Sequence, residues 1–331
     1  MLVDIANAQS HLGHKVSIIV INEYVDKEIS ERIEDGVDFF EINRKRSGKN
    51  PLPILKLIKL LKVTVRPDVV HAHDHSIGKL LKFFTEAQVV LTIHGPGLET
   101  EPMHHFHKLF AISRSVKVDV ESRSKLKSEV LYNGIDTPAV QKRRTVRPEK
   151  AFRVVMVKRL NHERKGQDLL IEAARHIVHE KGKTHYRFEL IGEGDSRSFL
   201  EKLISDYDLT EHVFLVGNLN RDEVYETLSE HDLFVHPSRF EGFGLTVTEA
   251  MAAKVPVVAS NIEGPAEILE NGKYGLMFEN EDVEGLVNQI LKAEGMYESG
   301  EMEVLIEKAY AHCIANFDIK KTAENYIQFY L

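Results

Sequence analysis

The chain has 331 residues, of which 43% are hydrophobic and 28% charged, and its formal net charge is −8. That length supports two domains, each with its own core, and that balance is ordinary for a globular protein, with no case for a nucleic-acid partner. The single cysteine, Cys313, excludes an intramolecular disulfide; with no apolar run of membrane-spanning length and no visible signal peptide, a cytoplasmic protein is the expectation.

In chain order, Met1 to Ala8 reads as a helix leading through Gly13-His14 into a strand at Val16 to Ile21. Further strands are expected at Asp68 to His71, Val89 to Ile93 and Leu109 to Ile112, with helical stretches at Pro51 to Lys62 and Ser76 to Thr85. Alternation of this kind indicates a parallel sheet with crossover helices. Leu131 to Asp136 is a turn after a strand, and the basic, Pro-containing residues Lys142 to Lys150 read as a linker. The expected division is 1–148, 149–316 and a closing helix over 317–331. Charge divides unevenly: residues 1–148 carry 23 Lys and Arg against 18 Asp and Glu, or +5, and residues 149–331 carry 20 against 33, or −13. A basic first half suits an anionic membrane surface or a phosphorylated acceptor, and equally a plain solvated surface.

The second half starts with a β-branched strand, Val154 to Val157, followed by Lys158-Arg159-Leu160-Asn161-His162-Glu163-Arg164-Lys165-Gly166 and a helix with Leu169, Leu170, Ile171, Ala173 and Ala174 at helical spacing. Arg159 and Lys165 thus fall in a strand-to-helix loop, where Arg offers bidentate donors to a diphosphate and Lys a mobile charge. A buried strand at Leu233 to Val235 leads into Pro237-Ser238-Arg239-Phe240-Glu241-Gly242-Phe243-Gly244, and a helix runs from Leu245 through Thr246 and Glu249 to Ala253. Glycines at such a junction admit a ligand to the backbone, and the first free N–H groups of the helix attract an anion. Carboxylates accept hydrogen bonds from paired hydroxyls and repel phosphate, so Glu241 and Glu249 suit a sugar or ribose while the cations upstream suit the phosphates.

This pair of segments resembles the donor half of the family 4 retaining glycosyltransferases, which have the GT-B fold of two doubly wound α/β domains facing a cleft. The resemblance continues through Phe188 to Gly194, Val213 to Gly217, Pro256 to Ser260, Gly264 to Ile268 and Gly272 to Met277, in the family's order. It implies that Arg159 and Lys165 hold the donor diphosphate, that Glu249 holds the ribose hydroxyls, and that Glu241 with the Gly242-Phe243-Gly244 backbone contacts the transferred sugar. Leu245, Thr246 and Leu219 complete the implied donor site, and His94, in Leu91-Thr92-Ile93-His94-Gly95, resembles the histidine that contacts the donor sugar. Against the family pattern, the first strand and its Gly-rich loop are expected to be absent ahead of Met1, which puts the activity of these residues in question. Phe317 to Leu331 resembles the closing helix.

Other clusters were weighed against this reading. His71, His73 and His75 alternate as strand residues that could share a metal, but resemble an ordinary strand end of the family. His104, His105 and His107 are expected to be solvated. Asp206-Tyr207-Asp208 spells a metal-binding signature of another glycosyltransferase fold, yet sits at a helix end, so no metal and no cofactor is expected. The Leu52 to Leu61 helix, with Lys56, Lys59 and Lys62, either packs on the first sheet or lies on a membrane. The expected activity is transfer of a sugar from a nucleotide-diphosphate donor, a UDP-sugar, to a glycan or lipid-linked acceptor; the alternative is a catalytically silent nucleotide-sugar-binding protein.

Overall fold

The computed structural model describes residues 1–45, 50–143 and 151–330. The chain divides into two compact units, Met1–Asp136 with Phe317–Leu331, and Thr137–Asn316. Most of the expected linker, residues 144–150, lies outside the described residues, and Lys142 and Arg143 belong to the second unit.

In the first unit, strands β1 (Val16–Asn22) and β2 (Val37–Arg44) form one parallel pair. Strands β3 (Val69–Ala72), β4 (Gln88–Ile93), β5 (Lys108–Ala111) and β6 (Glu129–Val130) form a separate parallel sheet in that order. The single doubly wound sheet expected of this half is therefore split among the described residues, because β1 and β3 exchange no ladder hydrogen bonds. Between them lies a cavity of about 1970 Å³ bordered by Val16 to Ile19 on one side and Val69 to His73 on the other. Strand β2 is an element that the sequence reading passed over. Its Val-Asp-Phe-Phe-Glu-Ile run buries only Val37 and Ile42, so its polar and apolar residues follow no clean period of two.

The Leu2–His11 helix shows how one element serves two cores. Val3 and Ala6, one turn apart, pack with Ile18 and Val37, whereas Ile5 and Ala8 pack with Ile319, Ala323 and Tyr326 of the terminal Ile319–Tyr330 helix. The terminal helix thus belongs to the first unit. It is tied there by Ile135 N to Phe317 O at 2.9 Å and Ile319 N to Ile135 O at 2.8 Å. The expected helix over 51–62 is α-helical at Leu52–Lys59 and continues as a wider turn to Val65; Leu57 and Leu61 are buried, while Leu52 and Leu55 are exposed.

The second unit contains β7 (Phe152–Val157), β8 (Tyr186–Ile191), β9 (Val213–Gly217), β10 (Leu233–His236), β11 (Val257–Ser260) and β12 (Leu276–Phe278). All are parallel, in the order β12-β11-β10-β7-β8-β9. Every residue of β10 and β11 is buried, as befits central strands covered on both faces by helices. At the edge, β9 exposes Phe214 and Val216. Chain order reverses between β7 and β10, and in such a sheet ligands bind beyond the carboxyl ends of the strands at this switch point.

Candidate functional site

Both strands at the switch point end in a residue with a charged or polar side chain that the fold buries. Lys158 follows β7 and His236 ends β10; behind His236, the loop from Pro237 carries Glu241. Lys158 Nζ donates to Glu241 Oε2 at 2.6 Å, and Lys165 Nζ donates to the same oxygen at 3.1 Å. His236 Nε2 stands 3.8 Å from it. One carboxylate oxygen is thus shared by two ammonium groups beside a fully buried imidazole.

The loops are held in register by hydrogen bonds between them. Asn161 caps the short His162–Lys165 helix, Gln167 Nε2 donates to Arg159 O at 2.9 Å, and Arg164 O accepts from Arg239 N at 2.9 Å and Phe240 N at 3.2 Å. Gly166 makes the close approach possible: its φ is +71°, and a Cβ there would come within 2.0 Å of Pro237 O. On the other side, Gly244, at φ +113°, begins the Leu245–Ala252 helix. In the first turn of that helix, the buried Thr246 Oγ1 finds no hydrogen-bond partner among the described residues, nor does either ring nitrogen of His236.

Burial pushes the Glu241 carboxyl upward, but Lys158, His236 and Lys165 outweigh it and draw the group down to about 2. Burial pushes the Lys158 ammonium below its ordinary value against the pull of Glu241, and holds His236 well below the usual histidine range. At neutral pH Glu241 is therefore an anion that accepts hydrogen bonds and has no proton to give.

Of the residues singled out in the sequence, Lys165 and Glu241 are brought together, with Gly242, Phe243 and Gly244 running from Glu241 into the helix that carries Leu245, Thr246 and Glu249. Glu249 is half-buried, and its charge acts on Lys158. Arg159 is not drawn into this cluster: its side chain is 72% exposed and its guanidinium pairs with Asp195 at 3.5 Å. Leu219 follows β9, with β8 between that strand and β7.

His94 belongs to the first unit, at the end of β4. Its Nε2 lies 2.9 Å from His73 Nδ1, and the His73 ring stacks on His71 at 4.5 Å. His71 in turn bonds Tyr330 Oη at 2.6 Å and Thr92 Oγ1 at 2.7 Å. Burial lowers all three histidines, His71 to about 3, so this row is neutral. It is a hydrogen-bonded stack rather than a set of ligands, and no group of three or more potential metal ligands occurs among the described residues.

The sequence reading assigned no role to Lys158 and His236. The signal for Lys158 was its place directly after an apolar central strand, where a lysine is buried only opposite a carboxylate. For His236, no comparable sequence signal exists.

Comparison with known proteins is consistent along the whole chain. Residues 139–312 match the model of glycosyl transferases group 1, more than half of the chain, and residues 1–138 match that of glycosyltransferase family 4. An uncharacterised glycosyltransferase of Methanocaldococcus jannaschii is 27% identical over 68% of this chain and 65% of its own length. A UDP-Gal:α-D-GlcNAc-diphosphoundecaprenol α-1,3-galactosyltransferase of Escherichia coli is 26% identical over 74% of this chain and 70% of its own. The structure of Anabaena HepE in complex with UDP and glucose superposes with a TM-score of 0.77 at 18% identity, covering 99% of this chain and 95% of that one. The chain spans 65% or less of the length of the first curated relatives it matches. With both halves matched and the GT-B architecture shared with such neighbours, the chain belongs to the family 4 glycosyltransferases, with a group 1 glycosyl transferase domain over residues 139–312.

Proposed function

We propose that this protein moves a sugar, with retention of configuration, from a UDP-sugar to a glycan or lipid-linked acceptor. The observation that carries the reading is the convergence of Lys165 and the Glu241 carboxylate beside the start of the Leu245–Ala252 helix. Lys165, Arg159 and the free N–H groups of that helix would take the diphosphate, with the unpartnered Thr246 hydroxyl in reach of the same anion. Glu241 and the Gly242-Phe243-Gly244 backbone would take the sugar, Glu249 the ribose, and Leu219 the outer part of the donor. His94 is read as a further contact to the transferred sugar. UDP and a lipid-linked acceptor are named by analogy with the E. coli relative and with the HepE complex.

The same arrangement favours one chemical course. An anionic Glu241 with two ammonium groups on Oε2 has little basicity left for attack on an anomeric carbon, so the reading is a same-face displacement in which the leaving diphosphate helps activate the acceptor hydroxyl. The cations at the site would stabilise the departing charge without a metal. The basic charge of residues 1–148 and the exposed Leu52 and Leu55 beside Lys56 and Lys59 fit an acceptor presented at a membrane surface, with the enzyme on its cytoplasmic face. No helix among the described residues is long and apolar enough to cross a membrane.

A second reading, nucleotide-sugar binding without transfer, is favoured by the split sheet and the cavity between β1 and β3 in the first unit. Calorimetric titration with UDP, together with transfer assays on UDP-sugars, separates the two: binding with turnover supports the enzyme, and binding without turnover supports the silent protein. Wild-type binding and rates in both Arg159→Ala and Lys165→Ala would overturn the donor-site assignment.

A further inference from the structure

Two lysines on one carboxylate oxygen is more positive charge than Glu241 needs, and the two differ in how they are held. Lys158 extends from the end of β7, its backbone N donating to Ile191 O at 2.9 Å, and its side chain is 10% exposed. Glu241 is the acceptor for its ammonium group among the described residues. Lys165 stands on the connecting loop, its side chain is 22% exposed, and it also reaches Phe240 O at 3.4 Å. Both ammonium groups end on Oε2, so Oε1 is the atom left to receive a hydroxyl.

We propose that Lys158 is a positioning residue, the permanent partner of Glu241, while Lys165 is the exchangeable one that turns to the donor diphosphate. This rests on the donor reading above and adds a division of labour to it. A lysine that leaves Glu241 for phosphate would strand a buried carboxylate with no counter-charge, at a cost that opposes donor binding. Lys158 removes that cost by staying behind. It keeps Glu241 ionised and fixed in direction, so that Oε1 meets the sugar hydroxyl in one geometry.

The groups facing Glu241 are Lys158 and Lys165 from the β7 side and His236 from β10, while Glu249 acts on Lys158 from the Leu245–Ala252 helix. Of these, His236 stays neutral because burial disfavours its charged form. The titration of Glu241 therefore reports on the two lysines.

The test uses the whole chain and two variants, Lys158→Met and Lys165→Met. The Glu241 carboxyl carbon is followed by NMR against pH, assigned by its loss in Glu241→Gln. Lys158→Met is expected to move the Glu241 titration up further than Lys165→Met. With UDP as ligand, Lys165→Met is expected to lose affinity and Lys158→Met to keep it. With UDP-glucose as donor, turnover by Lys158→Met is expected to fall about 100-fold, the scale of a misplaced contact, and to gain an acid limb in its pH profile. Lys158→Gln serves if the methionine variant does not fold, and Lys158→Arg, which keeps the charge, should restore the low Glu241 titration. An unmoved Glu241 titration in Lys158→Met and Lys158→Gln, or a larger movement in Lys165→Met, overturns the inference. Failure of the wild type to bind UDP would sink the donor reading instead, and the NMR comparison would still decide the pairing.

Discussion

Arg239 and Asp168 meet end on: Nη1 donates to Oδ1 at 2.9 Å and Nη2 to Oδ2 at 2.9 Å. The same guanidinium donates to His162 O at 2.7 Å and to Glu281 Oε1 at 3.0 Å. It therefore fastens the loop after β10 to the loop and helix after β7, the two segments that bring Glu241 and Lys165 together. Asp168→Ala leaves a partly buried guanidinium short of two acceptors. Because both side chains are mostly shielded, the expected loss is about 1–2 kcal/mol of stability by chemical denaturation. UDP affinity should fall as well, since the loops lose their common anchor.

Gly166 and Gly182 provide a matched pair. Both have a positive φ, +71° and +66°, but a Cβ at Gly166 would lie 2.0 Å from Pro237 O, whereas at Gly182 nothing lies within 4 Å. Alanine at Gly182 costs only the strained backbone, about 1 kcal/mol. Alanine at Gly166 adds a clash with a carbonyl that cannot retreat without moving the Glu241 loop, for a total above about 2 kcal/mol. Denaturation curves of both variants check the difference, and UDP titration should show a loss for Gly166→Ala only.

These features mark where sequence reading reaches its limit. The second unit was legible because its strands are buried on both faces, so Val154 to Val157 and Leu233 to Val235 read as continuous apolar runs, and because glycines stand where a loop must turn. Lys165 and Glu241 could be placed in facing loops on those grounds. Their contact, the second lysine and the exposed position of Arg159 depend on side-chain direction, which strand and loop assignment leaves open. In the first unit, His71, His73 and His94 were visible as strand-end residues, but their stacking depends on Tyr326 and Tyr330, more than 200 residues away. Long-range pairing of that kind leaves no local pattern in the chain.

The histidine row gives a pH signature. His71 is held at about 3 by burial, with the charge of His94 adding to the effect, and it faces His73, Tyr326, Tyr330 and Thr92. His73 and His94 are lowered chiefly by burial too, and both also feel the amino group of Met1. Between pH 6.5 and 3 the unfolded chain protonates His71 and the native chain does not, so stability falls as pH falls through that window. Each such histidine contributes a slope of about 1.4 kcal/mol per pH unit. His71→Gln removes one of these contributions, and the slope of unfolding free energy against pH between 4 and 6 should flatten by about that amount. An unchanged slope would mean that His71 is protonated in the folded protein.

Arg159 should separate binding from stability. Its side chain is 72% exposed and its one ion pair, to Asp195 at 3.5 Å, is also exposed. Such pairs contribute within about 1 kcal/mol. Arg159→Ala is therefore expected to unfold at nearly the wild-type denaturant midpoint while binding UDP more weakly. Calorimetry beside a denaturation curve checks both halves; equal UDP affinity would remove Arg159 from the donor site.

Arg143 and Asp232 form the most deeply buried ion pair of the second unit, with side-chain exposures of 5% and 6%. Asp232 Oδ2 also accepts from Arg153 N at 2.7 Å, and Tyr297, bonded to Arg143, donates its hydroxyl to Asp232 O at 2.7 Å. Removing Arg143 leaves the carboxylate buried without its counter-charge, so Arg143→Ala should cost about 3–5 kcal/mol at neutral pH. Burial already holds the Asp232 carboxyl above its ordinary value, and without Arg143 it rises further. In the variant, the native state then takes up a proton at a pH where the unfolded chain is still ionised, so acidification offsets part of the loss. The stability gap between wild type and Arg143→Ala should narrow as pH is lowered from 8 towards 5. A gap that stays constant or widens would show that Asp232 remains ionised, or that the segment carrying Arg143 contributes through packing rather than charge.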